Sequence, residues 1–213
     1  MLSGERGIKM ESKKEDRRSL YSKRIIRESL YELMKTKPLN KITVKEICDL
    51  ADVNRSTFYC YYMDIYDLHQ QIIKEFFEHQ REIINFIVGF LAQKEDMTDL
   101  SIDDFRGISF YYLKKVKENK ELYKFIFNQN STNSIHLSFG KVFFHTILND
   151  IPGAMDEETR KAFRRSFTFV SGGTTAIIMD WLKNDCAEDT TKVAKFLAYY
   201  YNGVFNGQKF TRK

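Results

Sequence analysis

Residues 42–62, "ITVKEICDLADVNRSTFYCYY", contain two short segments of helical pattern joined by a tight turn. Thr43 is followed three residues later by Glu46, and this pair is the sequence pattern of a capping box. We expect the inward face of the resulting helix to consist of Ile47, Leu50 and Ala51. The stretch therefore opens with a short amphipathic helix.

The turn and the segment after it complete this motif. Asp52 tolerates the left-handed backbone that a sharp turn requires, and Val53 is expected to be buried beneath the turn. Asn54 is a suitable N-cap for a further helix that reaches about residue 62. Phe58 and Tyr62 are four residues apart and share its buried face. The outer face then presents Arg55, Ser56, Tyr59 and Cys60. This arrangement predicts a helix-turn-helix.

A basic helix precedes the motif. Residues 15–36 read as one helix that ends before Pro38. Its apolar stripe consists of Ile26, Leu30, Leu33 and Met34. Residues 9–45 hold 12 Lys or Arg against 5 Asp or Glu, whereas 17 of the 18 phenylalanines lie after residue 70. The front of the chain is therefore predicted to face a polyanion, and the rest to form an aromatic helical body.

The outer face of the motif has the chemistry that reads DNA grooves. Arginine donates two hydrogen bonds to a guanine edge, serine bonds to most bases, and tyrosine contacts a thymine methyl group or a phosphate. The alternative interpretation is that these are ordinary solvated residues of an amphipathic helix.

Residues 18–68 resemble the DNA-binding domain of the tetracycline-repressor family of bacterial regulators. The similarity lies in the Ile-Thr-Val opening, the Ala before and the Val after the turn, the Arg-x-Thr-Phe-Tyr helix, and the Asp-Leu that enters a fourth helix. The resemblance implies a homodimer that binds a palindromic double-stranded DNA operator through adjacent major grooves. It implies base contacts from Arg55, Ser56, Tyr59 and Cys60, a rim position for Lys45, and phosphate contacts from Thr43, Thr57 and Tyr61.

Three positions depart from the family pattern. Asp52 stands where the family usually has Gly, Tyr62 where it has Phe, and Ile65 where it has a phosphate-binding Lys. The third change removes one expected phosphate contact per subunit. Lys14 and Arg18, near the start of the first helix, are candidates to supply the missing charge; the alternative is a merely solvated basic start.

The composition of the whole chain indicates an all-α protein. Only 2 prolines and 10 glycines occur in 213 residues, and apolar positions recur at three and four. The longest apolar runs are too short to cross a membrane, and the first residues lack a signal stretch, so we expect a cytoplasmic protein. Three cysteines and four dispersed histidines predict free thiols, no metal and no cofactor.

The body should contain six further helices, about nine in all. A fourth helix over residues 66–94 is expected to bridge the two modules, and its inward stripe consists of Leu68, Ile72, Phe76, Ile83 and Ile87. Ser101 and Asp104 form a second capping box, which opens a fifth helix. The remaining helices are predicted near residues 119–129, 132–149, 157–184 and 191–207. The predicted domains are a helix-turn-helix DNA-binding domain over residues 13–66 and an effector-binding and dimerisation domain over 67–213.

The last two helices are candidates for a dimer interface. Gly172 and Gly173 fall inside a helix, where each costs about 1 kcal/mol relative to alanine, so the close approach of another helix is expected to offset that cost. This region resembles the branch of the family that includes the dihydroxyacetone-kinase operon activator, and in the family these helices form a four-helix bundle across a two-fold axis. The expected dimer residues are Val170, Gly173, Ile177, Trp181, Phe196 and Tyr200. The alternative is packing within one chain.

The aromatic middle of the body is a candidate binding site for a small apolar or aromatic effector. The candidate contacts are Phe86, Phe110, Phe125, Phe143 and His145. A protein core needs the same residue types, so plain packing is the alternative for each.

These features predict a ligand-responsive transcriptional regulator. Regulators of this kind are more often repressors than activators. The alternative is an activator controlled by a protein partner. A third interpretation is an enzyme, and the lack of a Gly-rich phosphate loop, a nucleophile elbow and a cluster of His, Cys and carboxylates argues against it. Exposed Cys60 suggests a redox sensor, but it lacks a basic neighbour on its own face, which favours a passive thiol.

Overall fold

The computed structural model describes residues 17–94, 100–127 and 157–206 of the chain. These ranges contain eight α-helices, one short 3₁₀ turn at Leu39–Lys41 and no strand, which confirms the predicted all-α fold. The helices are α1 (Arg17–Met34), α2 (Val44–Ala51), α3 (Arg55–Tyr59), α4 (Ile65–Leu91), α5 (Ile102–Glu118), α6 (Lys120–Phe127), α7 (Glu157–Lys183) and α8 (Thr190–Asn206). The helix predicted over residues 132–149 lies outside the described residues.

The chain divides into two compact units, a first unit over Met1–Leu68 and a second unit over His69–Lys213. The boundary between them falls inside α4. Across the three described ranges, every helix is too short or too polar to span a lipid bilayer.

The first unit is built on a small apolar core. Ile26 and Leu30 of α1 are fully buried, as are Ile47 of α2, Phe58 of α3 and Leu68 of α4. The predicted stripe of α1 is only partly confirmed, because Leu33 and Met34 are half-buried.

The prediction that Leu50 faces inward is wrong, since its side chain is 54% exposed. α2 has only eight residues, and its buried positions are Ile47, Cys48 and Ala51. Leu50 lies three residues after Ile47, and α2 ends one residue later at Ala51. The side of α2 that packs against the other helices is narrow, and Leu50 lies outside it.

The second unit encloses the larger core. All the residues predicted for the inward stripe of α4 that fall in this unit, Ile72, Phe76, Ile83 and Ile87, are buried. α5 begins at the predicted capping box, in which the Ser101 hydroxyl accepts a hydrogen bond from the Asp104 amide at 3.1 Å. One apolar cluster joins α4, α5 and α8 through Ile83, Ile87, Leu91, Leu100, Phe105 and Ala198.

The connection between α7 and α8 is held to α6 by charge. Asp185 and Cys186 both adopt positive φ angles of 52° and 55°. The Asp185 carboxylate accepts hydrogen bonds from Lys120 at 2.7 Å and from Lys124 at 2.8 Å. These two ammonium groups lower the pKa of Asp185 to about 2, so the carboxylate stays charged under ordinary conditions.

Candidate nucleic-acid interface

A charged cap fixes the start of α2. The Thr43 hydroxyl accepts a hydrogen bond from the Glu46 amide at 3.2 Å, and the Glu46 carboxylate accepts one from the Thr43 amide at 3.0 Å. Lys37 donates to the same carboxylate and, with Thr43, lowers the pKa of Glu46 to about 2. The predicted capping box is confirmed. Because the Thr43 hydroxyl also donates to Glu46 at 2.9 Å, it is already committed within the cap.

The turn between α2 and α3 has the predicted backbone. Asp52 lies in the left-handed region with φ 52° and ψ 48°. The Val53 amide donates to the Cys48 carbonyl at 3.0 Å. The Val53 side chain is half-buried, not fully buried as predicted. Asn54 precedes α3 as its N-cap, but its side chain makes no capping hydrogen bond, so that part of the prediction is wrong.

α3 is held in place by two aromatic rings. Phe58 and Tyr62 are both buried, and their ring centroids lie 5.5 Å apart. The Tyr62 amide donates to the Phe58 carbonyl at 3.0 Å, although the α-helix itself ends at Tyr59. The pair thus fixes both the depth and the rotation of a helix of five residues.

The opposite side of α3 is open to solvent. Arg55, Ser56 and Cys60 are exposed, and the Tyr59 ring is 56% exposed. These are the four positions for which the sequence predicted an outward direction. They combine one cation, two hydroxyl groups and one thiol on about one and a half helical turns.

The other candidate contacts lie around this surface in the first unit. Lys45 is exposed near the start of α2, and Arg18 is exposed in the first turn of α1. Thr57 is half-buried. So is Tyr61, whose ring has the Lys23 ammonium 5.4 Å from its centroid. Lys14 lies outside the described residues.

Carboxylates occupy the start of α4. The Asp64 side chain accepts from the Asp67 amide at 2.8 Å, and the Asp67 side chain accepts from the Met63 amide at 2.8 Å. Ile65, which stands at the position of the expected lysine, is buried. Its side chain therefore packs in the core, and the nearby charges on α4 are negative.

Exposed rings and glycines follow the outer side of α7 and α8. Phe169 is 72% exposed, and a Cβ atom built on Gly172 or Gly173 would meet no other atom within 4 Å. Packing within the described chain therefore does not account for the two glycines. Of the other predicted dimer residues, Phe196 and Tyr200 are exposed, and Val170 and Ile177 are half-buried.

Trp181 differs from the rest of that predicted set. It is only 4% exposed, and its indole N–H donates to the Glu188 carbonyl at 3.0 Å. The Lys117 ammonium lies 5.8 Å from the centroid of its ring. Since its surface is used inside its own chain, we remove Trp181 from the candidate dimer face.

The candidate effector residues are dispersed. Phe86 and Phe110 are partly exposed, and Phe86 stacks on Tyr111 with 3.6 Å between ring centroids. Phe125 is buried, with the His69 ring 5.8 Å from its own. Phe143 and His145 lie outside the described residues.

Two sets of buried or partly buried polar side chains connect helices of the second unit, and the sequence did not predict them. The Tyr123 hydroxyl contacts His79 Nδ1 at 3.0 Å and accepts from Gln80 Nε2 at 3.1 Å. Burial raises the pKa of Tyr112, and a hydrogen bond from the Gln80 side chain partly offsets this effect. Farther along, the Tyr201 hydroxyl lies 2.6 Å from that of Thr174, and burial raises the pKa of Tyr201 to about 12.

The first of these sets joins α4, α5 and α6, and the second joins α7 to α8. The residues that hydrogen-bond across helices are 27 to 44 residues apart in sequence. No spacing rule relates residues at such separations, so the only available signal was the presence of polar residues within otherwise apolar helical patterns.

The chain is similar to known transcriptional regulators in sequence and in fold. Residues 103–203 match a family described as "Transcriptional regulator C-terminal region", TetR_C_8. No curated protein sequence matches the chain. Among solved structures, the fatty acid degradation regulator FadR from Bacillus halodurans is 14% identical, with a TM-score of 0.53 over 88% of this chain and 96% of that one.

Two further solved structures are similar. A fatty acid metabolism regulator of Clostridium perfringens is 17% identical, with a TM-score of 0.54 over 86% of this chain and 98% of that one. The dihydroxyacetone kinase operon activator DhaS is 16% identical, with a TM-score of 0.48 over 87% and 97%. At these identities, the similarity to FadR and to the Clostridium perfringens regulator shows a shared fold.

Proposed function

Because the chain belongs to the tetracycline-repressor family of transcriptional regulators, we propose that it binds a palindromic DNA operator as a homodimer through the outer side of α3. The family consists of transcription factors, so the chain is not an enzyme. The observation that carries the proposal is the orientation of α3. Buried Phe58 and Tyr62 hold the helix, and Arg55, Ser56 and Tyr59 point into solvent.

The exposed side chains of α3 suit a major groove. The Arg55 guanidinium is able to donate two hydrogen bonds to one guanine, while Ser56 and the Tyr59 hydroxyl both donate and accept. Cys60 lies at the end of the same surface. We assign base contacts to these four residues and backbone contacts to Lys45, Thr57, Tyr61 and Arg18. Thr43 and Lys14 belong to the same predicted set, with Thr43 acting mainly by capping α2.

A second copy of the chain is the proposed partner of α7 and α8. The exposed rings and the open glycines on these helices would be covered by the same surface of another protomer, as a two-fold interface requires. This dimer would present two copies of α3 to two half-sites, which makes the operator palindromic.

The proposed regulator responds to a small effector bound in the second unit. Such a ligand acts by preferring the conformation in which the two copies of α3 are badly spaced for DNA, and linkage then makes DNA and ligand oppose each other. This behaviour is that of a repressor released by its effector.

Binding of selected DNA tests the proposal. Duplexes are selected from a random pool with the purified full-length protein, and affinity is then measured by fluorescence anisotropy. A bidentate arginine contact provides about 1–3 kcal/mol of base discrimination, so we expect Arg55→Ala to weaken operator binding about tenfold to a hundredfold. Its matched control is Arg81→Ala, which removes an exposed arginine from α4 in the second unit.

Charge alone predicts a different outcome. If non-specific attraction to phosphates were the whole effect, both arginine variants would weaken binding equally and no sequence would be preferred. Equal losses would therefore overturn the assignment of α3 as the recognition helix. Raising the salt concentration should weaken wild-type binding steeply in either case, so salt dependence by itself does not separate the two outcomes.

A further inference from the structure

Two buried polar atoms in the second unit have no hydrogen-bond partner among the described residues. They are Oε1 of Gln80 on α4 and Oγ of Ser109 on α5, and each side chain is only 2% exposed. An unsatisfied buried polar group is costly, and most buried groups in folded proteins are paired. These atoms therefore point to a partner that binds from outside the chain.

The Lys115 carbonyl determines which atoms of the neighbouring Asn119 and His79 side chains carry protons. Nδ2 of Asn119 lies 3.1 Å from the Lys115 carbonyl, which only accepts, so this atom is the amide nitrogen. The same nitrogen lies 2.9 Å from Nε2 of His79, which must then accept. The proton of neutral His79 is consequently on Nδ1, and it is donated to the Tyr123 hydroxyl oxygen. Burial lowers the pKa of His79, in agreement with the neutral form.

Tyr123 is left with a proton to donate. Its oxygen already accepts from His79 and from Gln80 Nε2, so its own O–H is directed elsewhere. Within the part of the chain that the structure describes, three groups thus remain without a hydrogen-bond partner: the Tyr123 O–H as a donor, Gln80 Oε1 as an acceptor, and the Ser109 hydroxyl, which is able to donate and to accept. Ser109 precedes Tyr112 by three residues on α5, and the Tyr112 hydroxyl contacts the Gln80 side chain.

We propose that Gln80, Ser109 and Tyr123 bind the head group of a small neutral ligand that carries a hydroxyl or carboxamide on an apolar body. Only a head group that both donates and accepts satisfies all three residues. The inference rests on the proposed function, since it supplies the chemical class of the effector.

The surroundings favour a neutral ligand. Ile83 follows Gln80 by three residues and Phe105 precedes Ser109 by four, and both belong to the buried apolar cluster of this unit. The side chains that contact Gln80 and Tyr123 include the Tyr112 phenol and the His79 imidazole, which is neutral in this arrangement. A charged head group would lose its hydration there without a counter-charge from these groups, whereas a hydrocarbon would leave Gln80 and Ser109 unsatisfied.

Binding of paired probes tests the site. Benzyl alcohol and benzamide carry the required head groups, and ethylbenzene is a control of similar size without one. We expect the first two to raise the melting temperature of the full-length protein and ethylbenzene to leave it unchanged. Calorimetric titration should show binding at least tenfold weaker in Gln80→Met and in Ser109→Ala.

Stability without ligand provides a second readout. Ser109→Ala removes an unsatisfied hydroxyl, so its melting temperature should equal or exceed that of the wild type. Thr174→Val is the matched control, because the Thr174 hydroxyl is paired with Tyr201 at 2.6 Å and its loss should lower the melting temperature. Since Ser109→Ala is a mild change, the test stands even if Gln80→Met fails to fold.

Three results would overturn the proposal. They are an equal response to ethylbenzene, no binding of either polar probe up to millimolar concentration, and a Ser109→Ala melting temperature that falls as far as that of Thr174→Val. The titrations use protein without DNA. Failure of the ligand test therefore leaves the Arg55→Ala result intact, and failure of operator binding leaves the ligand result intact.

Discussion

The two units present exposed aromatic side chains in opposite chemical settings. In the first unit, exposed Tyr59 stands beside Arg55 and Ser56 on a helix of five residues. In the second, exposed Phe169 stands beside bare glycines on a helix of 27 residues. An aromatic ring among cations and hydroxyls suits a polar, negatively charged partner, whereas a ring beside glycine suits a close-packed apolar one. The neighbours of each ring, more than the ring itself, indicate the kind of partner.

The largest effect expected from this comparison is a difference between two adjacent residues of α3. Phe58→Ala should lower the free energy of unfolding by about 3–5 kcal/mol, because the ring fills the core of the first unit. Tyr59→Ala should change it by less than about 0.5 kcal/mol, since that ring is exposed, while weakening operator binding. Urea denaturation and anisotropy measure the two effects. Equal loss of stability in both variants would contradict the orientation of α3.

A smaller effect distinguishes the glycines of α7 from a glycine of α5. Gly107 is exposed and open to a Cβ atom, so Gly107→Ala should stabilise the protein by about 0.5–1 kcal/mol through helix propensity. Gly172→Ala and Gly173→Ala have equal room within the chain. At a dimer interface, however, the added methyl groups would push two protomers apart.

Light scattering as a function of concentration separates these cases. We expect Gly172→Ala and Gly173→Ala to raise the dimer dissociation constant and Gly107→Ala to leave it unchanged. A wild-type protein that stays monomeric at micromolar concentration would contradict the assignment of the open glycines to a two-fold interface.

The smallest effect concerns a feature that both units share. Glu46 and Asp104 each close a capping box and pair with a lysine, and in each case the folded pKa lies below its ordinary value. A carboxyl group with a lowered pKa in the folded state stabilises the protein fully at pH values above its ordinary pKa. This stabilisation is lost as the pH falls through the folded pKa. For Glu46 this window runs from 4.5 down to about 2.

Charge-neutral variants reveal this contribution. The difference in urea midpoint between wild type and Glu46→Gln should be constant above about pH 5 and shrink as the pH falls toward and below about 2, because the wild-type carboxyl then becomes neutral as well. For Asp104→Asn, the difference in urea midpoint should likewise shrink as the pH falls below 3.8, which is the ordinary pKa of that carboxyl group. A difference that does not change with pH would mean that hydrogen bonding, and not charge, provides the stabilisation.

Local chemistry decided which features could be predicted from the sequence. Thr43 with Glu46 and Ser101 with Asp104 act within four residues, and both capping boxes form as predicted. The spacing of Phe58 and Tyr62 indicated the correct rotation of α3. The predicted inward direction of Leu50 was wrong, because burial at the side of a short helix depends on which neighbours cover it.

Features that depend on tertiary contacts could not be predicted in this way. Trp181 has the apolar character of an interface residue, yet its indole bonds to Glu188 across the loop that follows α7. The contacts of Tyr123 with His79 and Gln80 join residues that are more than 40 positions apart in the sequence. Periodicity identifies the buried side of each helix, but it does not identify the partner of a polar group on that side.

The shortness of α3 has a consequence for how this protein would diverge. Five residues cannot sustain a helix alone, so the conformation is imposed by Phe58, Tyr62 and the turn at Asp52. The exposed positions contribute little to folding and are therefore open to replacement. A new operator preference could then arise by substitution at Arg55 or Ser56 without a new fold, which makes α3 a natural starting point for laboratory evolution of altered DNA specificity.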